Sequence, residues 1–367
     1  MFNKIFIYLK NSDWILFSAI LLLVCFGLSE IYSVALGQGA TDLLNFKKQV
    51  FFVGLGFALF FFISFTDYNF FRSFSLHFYI FGALLLVLVL IFGMTINGTK
   101  GWFSLGGVVF QPVEFIKFVV VLFLAKYFSE GSFKISPLKH LIISGGGVLL
   151  LFALVLLQPD FGSGLLLFSV WLAMIIIVGF KKRYLVALFL IFAVIGAGAW
   201  TVYLEPYQKD RIMTVFNPAN DPLDSGYNVA QAIIAIGSGG VFGRGIGFGS
   251  QSQLKFLPES QTDFIFAVIS EELGFLGIAL VLTFFSILFF RSLFSIKSVK
   301  DDFGIFFILG AMSLIFIEMF INIGMNMGLL PVVGIPLPFV SYGGSAMISN
   351  LIMLGVVQSI ILRSRIR

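Results

Sequence analysis

Apolar residues fall in long runs along this chain, and the charged ones collect in short clusters between them. A helix rises about 1.5 Å per residue, so crossing roughly 30 Å of hydrocarbon takes about 20 apolar residues. Ten runs meet that test, at about residues 14–36, 49–66, 76–96, 111–128, 140–157, 161–180, 184–204, 264–290, 303–328 and 339–362. Backbone in lipid must satisfy its own hydrogen bonds, so these runs are predicted to be helices rather than the short alternating strands of a barrel. The expectation is an all-α polytopic membrane protein: one domain over residues 1–367, a bundle of about ten transmembrane helices, and a long extracellular loop, about 205–262, between helices 7 and 8.

Basic residues in short loops stay preferentially on the cytoplasmic side. With the N-terminus inside, the inner side takes Lys4, Lys10, Arg72, Lys126, Lys134, Lys139, Lys181, Lys182, Arg183, Arg291, Lys297, Lys300, Arg363, Arg365 and Arg367. The outer side takes Lys47, Lys48, Lys100, Lys209, Arg211, Arg244 and Lys255, with Lys117 inside a helix. Both termini are therefore predicted to be cytoplasmic. Charged residues are only 11% of the chain against 59% apolar, and the net charge of +5 reads as a topology signal. No pattern for nucleic acid accompanies it. The first run is too long for a signal-peptide core and is not followed by a small-residue cleavage site, so it is expected to remain as an anchor.

Cys25 is the only cysteine, which excludes a disulfide framework and a thiolate metal site. His77 and His140 stand apart at predicted cytoplasmic helix ends and form no metal-ligand cluster. Any catalysis must then rest on carboxylates and cations.

The outer loop is longer than most connections, and such loops usually carry function. Asn217-Pro218, Asp221-Pro222 and Gly226 signal turns, while Val229 to Ile236 is apolar enough for a helix lying at or dipping into the interface. The run from Gly237 to Gly247, with Gly239 and Gly240, implies close backbone approach, which we read as contact with a lipid pyrophosphate. A dinucleotide-binding reading fails because no strand precedes the glycines.

Charges in hydrocarbon are functional candidates by default. Glu114 and Lys117 share one face of the fourth helix, either as an internal ion pair or with Glu114 orienting Lys117 toward an anionic phosphate. Glu318, Asn322 and Asn326 form a polar stripe, and Asn350 adds an amide; such stripes more often join helices than bind substrate. Asp263 ends the long loop where the eighth helix begins, a position that also suits a carboxylate complementing the helix dipole. Glu271 and Glu272 lie two turns deeper and are expected to pair with cations from other helices.

At this point the chain resembles a known family. Pro258-Glu259, Thr262-Asp263-Phe264-Ile265-Phe266-Ala267-Val268 and Glu271-Glu272-Leu273-Gly274 look like the signature of the SEDS family (shape, elongation, division and sporulation). Gly101-Trp102, Phe110 to Lys117, Gln158-Pro159-Asp160-Phe161-Gly162, Gly328-Leu329-Leu330-Pro331, Gly334 to Phe339 and Ser341 to Ser345 agree, in order along nearly the whole chain. Within the family, Tyr207-Gln208, Arg211-Ile212, Gly226-Tyr227-Asn228 and Ile236 to Gly240 look more like the elongation branch, RodA, than the division branch, FtsW.

The resemblance implies a peptidoglycan glycosyltransferase of the bacterial cytoplasmic membrane that polymerises lipid II into β-1,4 glycan strands at the outer face. The 4-hydroxyl of one disaccharide attacks the anomeric carbon of another, undecaprenyl pyrophosphate leaves, and the configuration inverts. Such a step needs a base and positive charge on the leaving group. The resemblance makes Asp263 the base and puts Lys117, Arg211 and Lys100 near phosphate. Glu114, Gly239, Gly240 and Ser341 are counted with the substrate-binding residues. Trp102 either stacks on a sugar or anchors the membrane belt. No organic cofactor is implied; a divalent cation, Mg or Mn, could share the phosphate charge, although no closed carboxylate cage is visible. The implied partner is a class B penicillin-binding protein. Gln261 stands where relatives often have His, Gly101 where they have a basic residue and Val113 where serine is frequent. A lipid II flippase is the alternative from another class.

Overall fold

The computed structural model describes residues 10–38, 40–96, 98–106, 108–130, 136–202, 209, 213 and 225–366. Ten long helices carry the ten expected spans: α1 Trp14–Gln38, α2 Ala40–Phe65, α3 Tyr68–Phe92, α4 Pro112–Glu130, α5 Pro137–Leu156, α6 Phe161–Val178, α7 Lys182–Val202, α10 Ile265–Ser295, α11 Asp302–Asn326 and α12 Gly344–Ile366. Between α7 and α10 come α8, Ser225–Gly239, and the single turn α9, Ser250–Gln253. Eight of the helices are long and apolar enough to cross a membrane by length and composition. The protein is a multi-pass membrane protein.

Two boundaries differ from the hydropathy reading for a physical reason. α2 and α3 begin eight or nine residues early, because helix continues past the apolar window into segments bearing Lys47, Lys48 and Arg72. The third run does not stay helical to its end. After Phe92 the chain forms a three-stranded antiparallel sheet of β1 Met94–Ile96, β2 Thr99–Leu105 and β3 Val108–Phe110, pairing Met94 with Trp102 and Phe103 with Phe110. This ribbon is an addition to the expected all-α bundle.

The core runs through α4, α11 and α12, whose buried residues include Ile116, Val120, Phe307, Ile315, Leu354 and Val357. α3, α5 and α7 instead expose Ile80, Phe81, Ile142, Leu150, Phe189 and Val194, as a lipid-facing surface requires. A second, small core of Val34, Ala232, Ala235, Leu257, Phe264, Ala267 and Val268 seats α8 against α1 and the start of α10. The apolar stretch in the long loop therefore forms the expected helix, and it packs on protein.

Among the described residues expected on the inner side, Arg72, Arg291, Arg363 and Arg365 lie at one end of the bundle. Asp13 caps α1 through the Leu16 amide at 3.0 Å and binds Arg291 and Arg365, each at 2.5 Å. Arg72 meets Asp301 at 3.2 Å and Glu130 at 3.7 Å, while Arg363 lies 3.6 Å from Asp67. The sheet and the segments 157–162, 240–264 and 328–343 occupy the opposite end.

Asp13 is 1% exposed. Burial alone would raise its carboxyl pKa, but Arg291, the Leu16 amide and Arg365 outweigh burial and hold it below the ordinary value. Asp13 thus stabilises the fold fully above about pH 4, and the contribution is lost as pH falls through its lowered folded pKa. Asp13→Asn is expected to cost about 2 kcal/mol at neutral pH. Thermal melting in detergent checks this: the gap between wild type and variant should shrink as pH falls below about 4.

Candidate active site

α10 carries an irregularity that organises the end of the bundle opposite Asp13. Gly274 has φ 65° and ψ −160°, so the helix is broken about three turns below Asp263. The break frees carbonyls on one side and amides on the other, which must find partners. The glycine-rich segment after α8 supplies them. Arg244 N donates to Glu271 O at 3.0 Å and Gly245 N to Glu272 O at 2.9 Å, while Phe275 N and Leu276 N donate to Gly240 O and Val241 O at 2.9 and 3.2 Å.

This docking corrects the reading of the glycines. Gly239 is buried, and a Cβ there would lie 2.8 Å from the Ser270 carbonyl carbon. Its close approach is to α10. Gly240 is exposed, with φ +54° and open space around its Cα.

The expected cationic partners of Glu271 and Glu272 are also replaced. Glu271 accepts from Gln251 N at 2.8 Å, Ser252 N at 3.1 Å and Ser250 Oγ at 3.3 Å, binding the amides at the start of α9. Glu272 accepts from Ser33 Oγ, Gly247 N, Gln253 Nε2 and Ser252 Oγ. Backbone amides and hydroxyls take the place of Lys and Arg.

Above this layer, the Asp263 turn is held from below and from the side. Asn322 Nδ2 and Asn326 Nδ2 donate to Asp263 O at 3.0 and 2.9 Å, Asn322 Nδ2 also reaches Ile335 O at 2.8 Å, and Asn326 Oδ1 accepts from Ala267 N at 3.2 Å. The polar stripe on α11 joins segments, as its composition suggested. Ser341 Oγ donates to Thr262 O at 2.6 Å and accepts from Leu337 N at 2.8 Å, and Tyr342 N donates to Gln261 O at 2.8 Å. Ser341 is 5% exposed and acts as a lock on the turn. Glu259 and Phe339 flank these locks with φ of 50° and 65°, strain of a kind that costs on the order of 1–3 kcal/mol per residue.

The Asp263 side chain itself is only partly buried, and its Oδ2 faces Gly334, where a Cβ would stand 3.6 Å away. Gln261 is 7% exposed, with no hydrogen-bond partner for either amide atom among the described residues.

Lys117 is 3% exposed and 2.7 Å from both Glu114 and Glu318. One ammonium between two carboxylates leaves a net negative group, which does not attract a phosphate. The geometry supports the internal ion pair, widened to a triad joining α4 to α11. Glu318 is one turn, about 6 Å, before Asn322, so one face of α11 links the triad to Asp263.

The ribbon is joined to the same end. Lys100 N donates to Gln158 O at 3.2 Å, and Lys100 Nζ reaches Ile91 O at 3.4 Å. Gln111 N donates to Ser345 Oγ at 3.1 Å, and its side chain reaches Asp160 at 3.5 Å. Gly162 packs against Val333. Trp102 sits mid-ribbon, partly exposed. Arg211 lies outside the described residues, as do Tyr207 and Gln208. Among the described residues no group of three or more His, Cys, Asp or Glu could hold a metal ion.

Sequence reasoning missed two polar residues here. Gln49 receives Gly343 N at 3.2 Å and donates to Ser341 O at 3.4 Å, and Glu30 is a fully buried acid facing Glu272. The signal for Glu30 was available, since it is a lone acid inside an apolar run.

The family profile described as "Cell cycle protein", FtsW/RodA/SpoVE, matches residues 13–366. The chain belongs to the SEDS family. Stage V sporulation protein E of Bacillus subtilis is 38% identical over 366 residues, covering 97% of this chain and 98% of that protein. The peptidoglycan glycosyltransferase MrdB of Escherichia coli K12 is 42% identical over 286 residues, 77% of this chain and 76% of that one. Among solved SEDS structures, RodA of Thermus thermophilus superposes with a TM-score of 0.71 at 27% identity, covering 97% of both chains. A chain of a peptidoglycan synthase complex, described as coordinating polymerization and crosslinking, gives 0.82 at 29% identity, covering 96% of this chain and 98% of that one.

The glycine assignments separate cleanly by substitution. Gly239→Ala is expected to destabilise by about 1–3 kcal/mol, because backbone rather than a flexible side chain blocks the new methyl. Gly237→Ala, in open helical surroundings, should be neutral or stabilise by about 0.5–1 kcal/mol. Paired melting curves in detergent decide the order.

Proposed function

We propose that this SEDS glycosyltransferase polymerises lipid II at the Asp263 end of the bundle, with Asp263 as general base. What carries the reading is the treatment of Asp263: three side-chain hydroxyl and amide groups fix the backbone around it, while its carboxylate stays partly exposed at the meeting point of the family motifs. A base must be held within hydrogen-bond reach of the proton it removes, and rigid anchoring of its backbone serves that need.

In the proposed step, the acceptor 4-hydroxyl gives its proton to Asp263 as its oxygen bonds to the donor anomeric carbon. The bond from that carbon to the pyrophosphate oxygen breaks, and undecaprenyl pyrophosphate departs with the electron pair. One displacement turns the α donor linkage into a β product. Lys100 and Arg211 are the cations proposed for the leaving group, with Trp102 and Gly240 along the approach. A divalent cation, Mg or Mn, would be held largely by the pyrophosphate itself, consistent with the sparse carboxylate set at this end. Lys117 and Glu114 act from beneath, by holding α4 to α11.

We read both termini as cytoplasmic and the Asp263 end as the outer one, a reading that the distribution of basic residues supports. The RodA-like segments support an elongation role, with a division-type role as the alternative. The 0.82 match to a chain of a synthase complex supports a class B penicillin-binding protein as partner.

Purified protein, alone and with its cognate penicillin-binding protein, should convert lipid II to glycan polymer on a product gel. Asp263→Ala and Asp263→Asn should give none while melting near the wild-type temperature. Polymer from folded variants removes Asp263 as base. No polymer from any sample, partner included, shifts the assignment to a flippase.

Lys117→Met alone strands two buried carboxylates, a loss of about 3–5 kcal/mol. Lys117→Met combined with Glu114→Gln and Glu318→Gln should recover the melting temperature and part of the polymerisation. Restored melting with no polymer would return Lys117 to substrate contact.

A further inference from the structure

α2 and α12 lie along a seam of close contacts. A Cβ on Gly344 would strike the Phe52 ring, one on Gly56 the Leu351 side chain, and one on Gly355 would press on the Phe60 carbonyl. Packing of this kind leaves two helices little freedom to slide. Gln49 precedes Phe52 by one turn on the same face of α2, so the seam carries it to the start of α12. It is 0% exposed there.

A buried amide in a spanning helix usually joins that helix to another. Gln49 is spent on main chain instead. Its Oε1 accepts from Gly343 N, just before α12, at 3.2 Å, and its Nε2 donates to Ser341 O at 3.4 Å. One side chain thus grips the end of the 334–343 segment at two points. The same few residues hold the Asp263 turn: Tyr342 N donates to Gln261 O at 2.8 Å and Ser341 Oγ to Thr262 O at 2.6 Å. At its other end the segment meets the carboxylate, whose Oδ2 faces Gly334.

Two supports therefore converge on Asp263. Asn322 and Asn326 hold its own carbonyl from α11. The two carbonyls before it depend on residues 341 and 342, and those residues depend on Gln49 for their tie to α2. Without that amide the turn still forms, but it shifts with a segment anchored at one end less. A displacement of about 1 Å in a catalytic group can cost about a hundredfold in rate.

We propose that Gln49 is a positioning residue for the polymerisation step: held by α2 against α12, it fixes residues 341–343 and through them the placement of the Asp263 carboxylate, a role that rests on Asp263 as general base.

Gln49→Met keeps the length of the side chain and removes both hydrogen bonds. In full-length protein with its cognate penicillin-binding protein, polymerising lipid II, it should lower kcat by about ten- to a hundredfold and change KM by less than about twofold. Asp13→Asn weakens the opposite end of the bundle and serves as the control for stability, with kcat close to wild type. Adding Gln49→Met to Ser341→Ala should cost no more than about a further twofold, because both act through one segment. Gln49→Asn, neutral but one methylene too short to reach both groups, should separate kcat from KM in the same way and replaces the methionine variant if that one does not fold. Wild-type kcat in a folded Gln49 variant overturns the role. So does a loss carried by KM, a loss equalled by Asp13→Asn at a comparable drop in melting temperature, or a cost that simply adds to that of Ser341→Ala. Asp263→Asn in the same assay keeps the two readings apart: if it is inactive while the Gln49 variants are not, only the positioning role fails, whereas polymer from Asp263→Asn removes the base and the positioning role with it.

Discussion

Hydrocarbon offers nothing to an open amide or carbonyl, so a break in a spanning helix has to be repaired by the protein itself. Gly274 makes such a break, and the strand of chain after α8 repairs it with four backbone hydrogen bonds. Much of the surrounding layer follows from this repair. The glycines are needed because two backbones meet without side chains between them. The acids preceding Gly274 then lie beneath a loop whose amides point at them, and Glu271 fixes the start of α9. The chain that leaves this layer leads directly to the Asp263 turn. A distortion in one helix is thereby converted into a rigid floor.

A second constraint acts along α11. Glu318, Asn322 and Asn326 recur at one-turn spacing, and each is spent on a different neighbour: the Lys117 ammonium, the Ile335 and Asp263 carbonyls, and the Ala267 amide. Amides suit this task because they donate and accept at once without carrying charge into lipid. The result is that the main chain at Asp263, the proposed base, is immobilised by uncharged side chains.

Hydropathy made the ten spans legible, because a run of twenty apolar residues has few other readings. Asp263 was legible through its motif. The ribbon was not, since strands of three and seven residues leave no periodic trace beside an apolar run that reads as helix through Ile96. The partners of Glu271 and Glu272 were hidden for a different reason. A sequence displays charges but not backbone amides, and these acids are satisfied by amides that exist only once the loop has docked. The same gap misled the reading of Gly239, whose close approach is real but directed at α10. Glu30 carried a visible signal and stands in the first apolar run with no charged neighbour within ten residues on either side.

The ion cluster around Asp13 bears on biogenesis. Asp13 begins the first spanning helix, and one of its two arginines, Arg365, is made 352 residues later. Through most of synthesis the acid lies at the membrane surface with part of its charge unanswered, able to stay hydrated there. Arg291 provides a provisional partner once α10 is inserted, and the last helix completes the set. The cluster works as a clasp that closes only once α12 is in place. A chain lacking α12 would present an under-neutralised, water-seeking inner edge at Asp13.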